Sequence, residues 1–294
     1  MTAYDLTGRR ALITGASLGL GLAIAEKFAA SGADLFLCAR GEQALVKAAD
    51  IVKKQRISPD QHVYYTCCDV SKSDQVASLK EKVLKVFPDL TILVSNAGIY
   101  GPMGKIEEVD FNLFRAAIEI NLLGPVLLVQ NFVPHFRRCR YGKIIQLSGG
   151  GATNPLPRIE SYAASKAGVV RFMESIARDL IDDGVDVNSV APGLLDTRLL
   201  DEVLSYRPET VGQEYRQRME SARRQGKCVS PELAADACLF LASGASDGVT
   251  GRLVSAVWDD YQDFPNHLRE LKNSDLYTLR RIVGRDRGTN WGDK

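Results

Sequence analysis

From residue 10 onward, apolar runs of strand length alternate with longer stretches of helical period, and this alternation constrains the fold more than any other feature of the chain. It predicts strands over 10–14, 34–38, 62–67, 91–95, 143–147, 185–190 and 252–257, with helices over 20–30, 42–55, 73–87, 111–136, 161–181 and 231–242 between them. Strand–helix–strand units place consecutive strands parallel. The near-continuous apolar character of the runs fits strands covered on both faces. The expectation is an α/β fold: a doubly wound, seven-stranded parallel sheet with helices on both faces. Ser230, Pro231 and Glu232 supply an N-cap, a first-turn proline and a first-turn acid for the last helix.

A chain of 294 residues can bury one large core, so the expected organisation is a single domain over 1–258 with an extension over 259–294. Residues 194–227 form a long insertion before the last helix, a length typical of functional lids and binding loops. Lys plus Arg (37) nearly balances Asp plus Glu (36), so no global field recruits nucleic acid or an anionic membrane. The charged start and the absence of an uninterrupted apolar run of spanning length predict a cytoplasmic protein. Cys38, Cys67, Cys68, Cys139, Cys228 and Cys238 are scattered without metal-ligand spacing and are read as reduced core thiols. Cys67 and Cys68 share a strand and point to opposite faces, which argues against a bridge. No metal site is expected.

Directly after the first strand stands Thr14-Gly15-Ala16-Ser17-Leu18-Gly19-Leu20-Gly21, opening a helix. Glycine permits a tight turn and close backbone approach to a pyrophosphate, and the free N–H groups of the helix start favour its charge. Glycine also serves tight turns that bind nothing, so this motif needs company. The second strand ends Leu37-Cys38-Ala39-Arg40. In dinucleotide folds an acid there selects NAD and a nearby arginine accommodates the extra phosphate of NADP. Ala39 stands at the acidic position and Arg40 follows, favouring NADP(H) over NAD. The alternative for Arg40 is a solvated side chain at a helix start. Asp34 is expected at the surface.

Tyr162 and Lys166 lie four apart in a helical stretch, which puts them on one face. A tyrosine with a pKa near ~10 needs a fixed positive charge to favour its phenolate, and Lys166 supplies one. Alone, the pair is as easily two solvated side chains. Three ordered motifs decide otherwise: Thr14 to Gly21, then Ser95-Asn96-Ala97-Gly98 after the fourth strand, then Tyr162-Ala163-Ala164-Ser165-Lys166. With these, residues 5 to 257 resemble the single-domain branch of the short-chain dehydrogenases/reductases, whose T-G-x-x-x-G-x-G, N-N-A-G and Y-x-x-x-K motifs come in this order. Ser95 replaces the first asparagine of the second motif.

The resemblance implies a Rossmann-type fold and hydride transfer between NADP(H) and a carbonyl or alcohol, with Tyr162 as acid or base. It also implies a catalytic serine at Ser148, at the end of the fifth strand, and an asparagine at Asn121 holding a water that links Lys166 to solvent. Cofactor contacts are implied at Gly15, Ser17, Leu18, Gly19, Leu20, Gly21, Arg40, Asp69, Val70, Asn96, Ala97, Gly98, Tyr162, Lys166, Pro192, Gly193, Leu195 and Thr197. Asp69 and Val70 fall to the adenine, Asn96 to Gly98 to the adenosine ribose side, and Leu195 and Thr197 to the carboxamide.

Substrate choice is expected in residues 149–160 and in the insertion. The bare run Gly149-Gly150-Gly151 leaves backbone free to curve around a substrate. The insertion carries Arg198, Arg207, Arg216, Arg218, Arg223 and Arg224, which could meet a substrate phosphate or carboxylate, although a solvated basic helix explains them more simply. Leu268, Leu271, Leu276, Leu279 and Ile282 in the tail either pack on a neighbouring subunit or close over a pocket. Family members pair through the helices around Asn121 and Tyr162, so a homodimer or homotetramer is expected. A nucleotide-sugar epimerase or dehydratase and a non-catalytic dinucleotide sensor stand as alternatives, weakened by the glycine spacing and by the intact catalytic set.

Overall fold

A computed structural model describes residues 4–289 and Trp291. Its seven strands form one sheet of order β3-β2-β1-β4-β5-β6-β7. They are β1 (Arg10–Thr14), β2 (Asp34–Ala39), β3 (Val63–Cys67), β4 (Ile92–Ser95), β5 (Gly142–Leu147), β6 (Val185–Ala191) and β7 (Leu253–Ser255). Every pairing is parallel, with β1 between β2 and β4 in registers such as Leu12 opposite Phe36 and Leu93. The chain reverses its winding between β1 and β4, and such switch points open a crevice at the carboxyl ends of the strands. The glycine turn, the Asn-Ala-Gly segment and Ser148 all follow strands at that edge.

The expected helices form with small shifts: α1 (Gly19–Ala30), α2 (Glu42–Lys54), α3 (Ser73–Val86), α4 (Phe111–Ile118), α5 (Gly124–Cys139) and α6 (Glu160–Asp179). The insertion folds into α7 (Arg198–Ser205), α8 (Pro208–Val211) and α9 (Gln213–Arg224), and α10 (Pro231–Ala242) precedes β7. As anticipated, Ser230 caps α10, its Oγ accepting from the Glu232 amide at 3.2 Å. One layer packs Ile24, Phe28, Ala234 and Phe240 of α1 and α10 on the sheet, and the other packs Val83, Phe132, Phe136 and Met173 of α3, α5 and α6. A third, smaller cluster of Met103, Ile159, Leu200, Val203, Val211 and Met219 roofs the crevice.

Several expectations need correction. The helix expected over 111–136 runs to Cys139 but widens into a π-turn over Glu119–Leu123. By length and hydropathy this column is the one described helix that could cross a membrane, yet its Leu128, Val129, Phe132 and Phe136 lie in the core. Strand β3 is not covered on both faces: it is an edge strand with Tyr64 and Tyr65 exposed, since no further strand shields it. Asp34 is not a free surface acid but pairs with Arg10 at 3.6 Å and accepts from the His62 amide. Only Cys38, Cys68 and Cys238 are core thiols, whereas Cys67 and Cys139 are exposed and Cys228 is half-buried.

The tail returns onto its own domain. Tyr261, Phe264 and Leu271 enter the α1/α10 cluster, and α11 (Leu268–Lys272) carries the last of them. Leu253 of β7 donates to the Tyr277 carbonyl at 2.7 Å, and Arg252 donates to the carbonyls of Leu271, Ser274 and Leu276. Glu174 of α6 accepts from the Leu279 amide at 2.7 Å. Of the five tail apolar residues, Leu271 is buried while Leu276 and Ile282 remain exposed.

Candidate active site

The glycine turn is held from behind. Gly15 takes φ +65°, and a Cβ there would stand 2.8 Å from Ala97 Cα, so only glycine meets both demands. A Cβ on Gly21 would overlap the Gly15 carbonyl and the Asn96 amide. Asn96 donates through Nδ2 to the carbonyls of Thr14 (3.1 Å) and Gly15 (3.2 Å), and the Thr14 hydroxyl accepts from the amides of Asn96 and Ala97. The Asn96 amide group is thus spent on shaping the turn. Helix α1 begins at Gly19 behind Leu18, whose side chain cannot cap it, so the first-turn N–H groups have no side-chain acceptor. Orphan donors at a helix start behind a glycine turn suit a pyrophosphate.

At the far end of the crevice, Arg40 is exposed just past β2. Asp69, after β3, accepts from Ser71 N and Oγ at 3.0 and 2.7 Å. Partial burial opposes ionisation of Asp69, but those bonds and the Arg40 charge hold its carboxyl below the usual range. Val70 packs on Gly124 at the start of α5, where a Cβ would come within 2.9 Å of its Cγ2.

Around β5 the catalytic candidates converge. Ser148 is buried, its amide donates to Val190, and its Oγ has no hydrogen-bond partner among the described residues. Such an orphan normally costs free energy, which a substrate oxygen arriving beside it would recover. The Tyr162 hydroxyl lies against Gly149: a Cβ there would stand 3.2 Å from Tyr162 Cζ and closer still to the hydroxyl. The Tyr162 ring also packs against Tyr100, with centroids 4.7 Å apart. Burial, with Tyr215 adding, raises the Tyr162 pKa well above the ordinary phenol value. Lys166 is buried with Nζ 5.7 Å from the Tyr162 ring centroid, donating to the Leu147 carbonyl at 2.8 Å. Burial pushes its ammonium down to about 8, so it remains mostly charged at neutral pH.

Asn121 sits within the π-turn, where such bulges often mark functional positions. Its Oδ1 accepts from the Ile99 amide at 2.9 Å, and its Nδ2 donates to the Ile99 carbonyl at 2.8 Å and Ser165 Oγ at 3.0 Å. These bonds satisfy its side-chain amide and tie the π-turn to the Ile99 backbone and to α6. A Cβ on Gly98 would lie 3.2 Å from Asn121 Oδ1 and 3.7 Å from Lys166 Nζ, so the Gly98 backbone runs between them.

A cavity of about 730 Å³ opens beside Tyr162, lined also by Gly149, Gly193, Leu195 and Thr197 among others. Pro192 also lines it, and a Cβ on Gly19 would stand 3.8 Å from Thr197 Cγ2, which joins the glycine turn to the cavity's lip. The sequence singled out neither Tyr100 and Trp258 nor the tail residues Asp259, Tyr277 and Thr278, which form part of the cavity wall. Tyr100 had a signal in its place two residues past Gly98; the tail residues had none beyond the apolar pattern of their segment. Among the described residues no three His, Cys, Asp or Glu side chains stand together as a metal site.

Comparison with known proteins agrees with this geometry. The family model for short chain dehydrogenase matches residues 9–207. Cis-4-hydroxycyclohexanecarboxylate dehydrogenase of Sinomonas cyclohexanicum is 32% identical over 84% of this chain and 94% of its own. Levodione reductase superposes with a TM-score of 0.78 at 26% identity, over 85% of this chain and 96% of its own. A variant of actinorhodin polyketide ketoreductase, crystallised with NADPH, gives a TM-score of 0.76 at 26% identity, over 84% and 95% of the two chains. With the doubly wound sheet, the glycine turn and the Tyr162–Lys166 pair in family order, this chain belongs to the short-chain dehydrogenases, a family of NAD(P)-dependent oxidoreductases.

Proposed function

We propose that the protein is an NADP(H)-dependent oxidoreductase that interconverts a carbonyl and a secondary alcohol. The observation that carries the reading is the unpartnered Ser148 hydroxyl, one residue from the glycine on which the Tyr162 hydroxyl rests, with the Lys166 ammonium behind the tyrosine. When bound, the dinucleotide supplies or accepts hydride at its nicotinamide. Ser148 donates a hydrogen bond to the reacting oxygen and steadies the charge that develops there. Tyr162 gives that oxygen a proton in reduction and removes one in oxidation. Its raised pKa keeps it protonated at neutral pH, the form reduction requires, and the Lys166 charge lowers the cost of the phenolate left behind. Asn121 positions Ile99 and Ser165, and Ser165 in turn donates to the Tyr162 carbonyl at 2.7 Å.

For the cofactor, Gly15, Ser17, Leu18, Gly19, Leu20 and Gly21 would hold the pyrophosphate, Asp69, Val70 and the segment Asn96-Ala97-Gly98 the adenosine half, and Pro192, Gly193, Leu195 and Thr197 the nicotinamide. Arg40 would take the extra phosphate of NADP, a role its guanidinium suits because it is exposed at the end of β2 without an acid at Ala39. The same reading carries a homo-oligomer paired through the α4–α5 face, supported by the exposed Phe111, Leu113 and Leu123, and a cytoplasmic setting, supported by six free thiols.

The test is a panel of carbonyls and alcohols followed at the absorbance of NADPH and repeated with NADH. Turnover that prefers NADPH, falls at least a hundredfold in Tyr162→Phe and loses its NADPH preference in Arg40→Ala supports the reading. Turnover undiminished in Tyr162→Phe refutes the proton role, and a wide preference for NADH refutes the role of Arg40.

A further inference from the structure

Six arginines occupy the insertion, and the tertiary structure treats them differently. Arg216 is neutralised by Glu220 at 2.8 Å and also donates to the Tyr206 carbonyl. Arg223 is clamped between Asp196 and Asp201. Arg218, on the same helix α9, has no ion pair among the described residues; its guanidinium carbon sits 5.5 Å from the Tyr215 ring centroid. Of the six, Arg218 alone lines the cavity that holds Tyr162.

That cavity is largely apolar, walled by Leu156, Leu194, Leu200 and Met219. Its one lining carboxylate, Asp259, turns Oδ2 onto the Ser255 amide at 2.7 Å and makes no ion pair with Arg218. Arg218 is exposed and lines the cavity, so its charge is free to meet a ligand there. The Tyr215 ring lies beside the guanidinium, and the guanidinium's planar fork matches a carboxylate with two parallel hydrogen bonds.

We propose that Arg218 selects substrates bearing a carboxylate, so that the reacting carbonyl reaches Tyr162 and Ser148 while the anionic end lies on Arg218. The proposal rests on the oxidoreductase reading above and narrows its substrate class to keto acids and their hydroxy acids. Arg218 is a specificity-determining residue and takes no part in proton or hydride movement.

The experiment measures kcat and KM with NADPH for acetoacetate, levulinate and a cyclohexanone carboxylate, each beside its methyl ester, with simple neutral ketones included. The wild type should favour at least one acid over its ester by about tenfold or more in kcat/KM, the range a charge-assisted hydrogen bond supplies. Arg218→Met should remove that advantage mainly through KM, change ester turnover by less than threefold, and leave thermal stability unaltered because Arg218 is exposed. Arg218→Lys, which keeps the charge and loses the fork, should restore part of it. Esters turned over as well as acids, an equal loss for both in Arg218→Met, or reduction of neutral ketones alone would overturn the proposal and leave the oxidoreductase reading standing. If the protein binds NADPH and reduces no ketone of any kind, both readings fall.

Discussion

Gly149→Ala isolates the geometry on which the proposed chemistry depends. Gly149 has φ −179°, an extended conformation open to any residue, so alanine meets no backbone penalty there. Its methyl would stand 3.2 Å from Tyr162 Cζ and nearer the hydroxyl oxygen, inside the 3.0 Å that Cβ contacts respect. Relief requires the hydroxyl to retreat by about 1 Å, and the packing of the ring against Tyr100 resists a larger swing. Misplacing a catalytic group by that amount costs about a hundredfold in rate, or roughly 2.7 kcal/mol of barrier. The expected result is kcat near one per cent of wild type, with the NADPH dissociation constant and the melting temperature close to wild type. Gly150→Ala is the control, since its Cβ meets nothing within 4 Å and should leave kcat within about threefold. If Gly149→Ala folds, binds NADPH and keeps kcat within about threefold of wild type, the Tyr162 hydroxyl is not the reacting group in the position described.

Two further outcomes follow from buried charges. Lys166 is cationic below about pH 8 and loses its proton above it, so kcat/KM for reduction should be level below that point and decline above it; Lys166→Met should lower the rate and abolish the bend, and a wild-type profile level to about pH 10 would refute the role. Lys143, buried on β5, contacts Asp186 and Asp247 at 2.7 Å each, and Lys143→Met strands the largely buried Asp186 carboxylate. The expected cost is about 3–5 kcal/mol, lowering the melting temperature by on the order of 10 °C. Burial already raises the Asp186 pKa, so the variant's deficit should shrink as pH falls and that carboxylate takes a proton. A deficit that does not vary with pH would contradict this account.

The doubly wound parallel sheet and the placing of Tyr162 and Lys166 on one helix face were legible because each depends on local regularities. A parallel strand covered on both faces must be apolar throughout, and four residues of helix bring Tyr162 and Lys166 to one face wherever the helix lies. The glycine pattern was legible for the same reason: Gly15 and Gly21 have no room for a side chain in a turn only seven residues long. Element ends were less so, and the π-turn at Asn121 went unread, because its extra backbone width is set by side-chain bonds to Ile99 and Ser165 that come from distant segments.

What the sequence by itself determined is therefore the sheet, its winding, the glycine turn and the candidates at Ser148, Tyr162 and Lys166. Only the tertiary structure decided which of six similar arginines faces the cavity, that Asn96 shapes the glycine turn, and that Trp258, Asp259, Tyr277 and Thr278 wall the site. The physical reason is range. Periodicity and spacing encode interactions within a turn or two of chain, as in the Arg216–Glu220 pair, whereas the pairing of Arg223 with Asp196 and Asp201, and the placing of Arg218 on the cavity, arise from packing that no local pattern records.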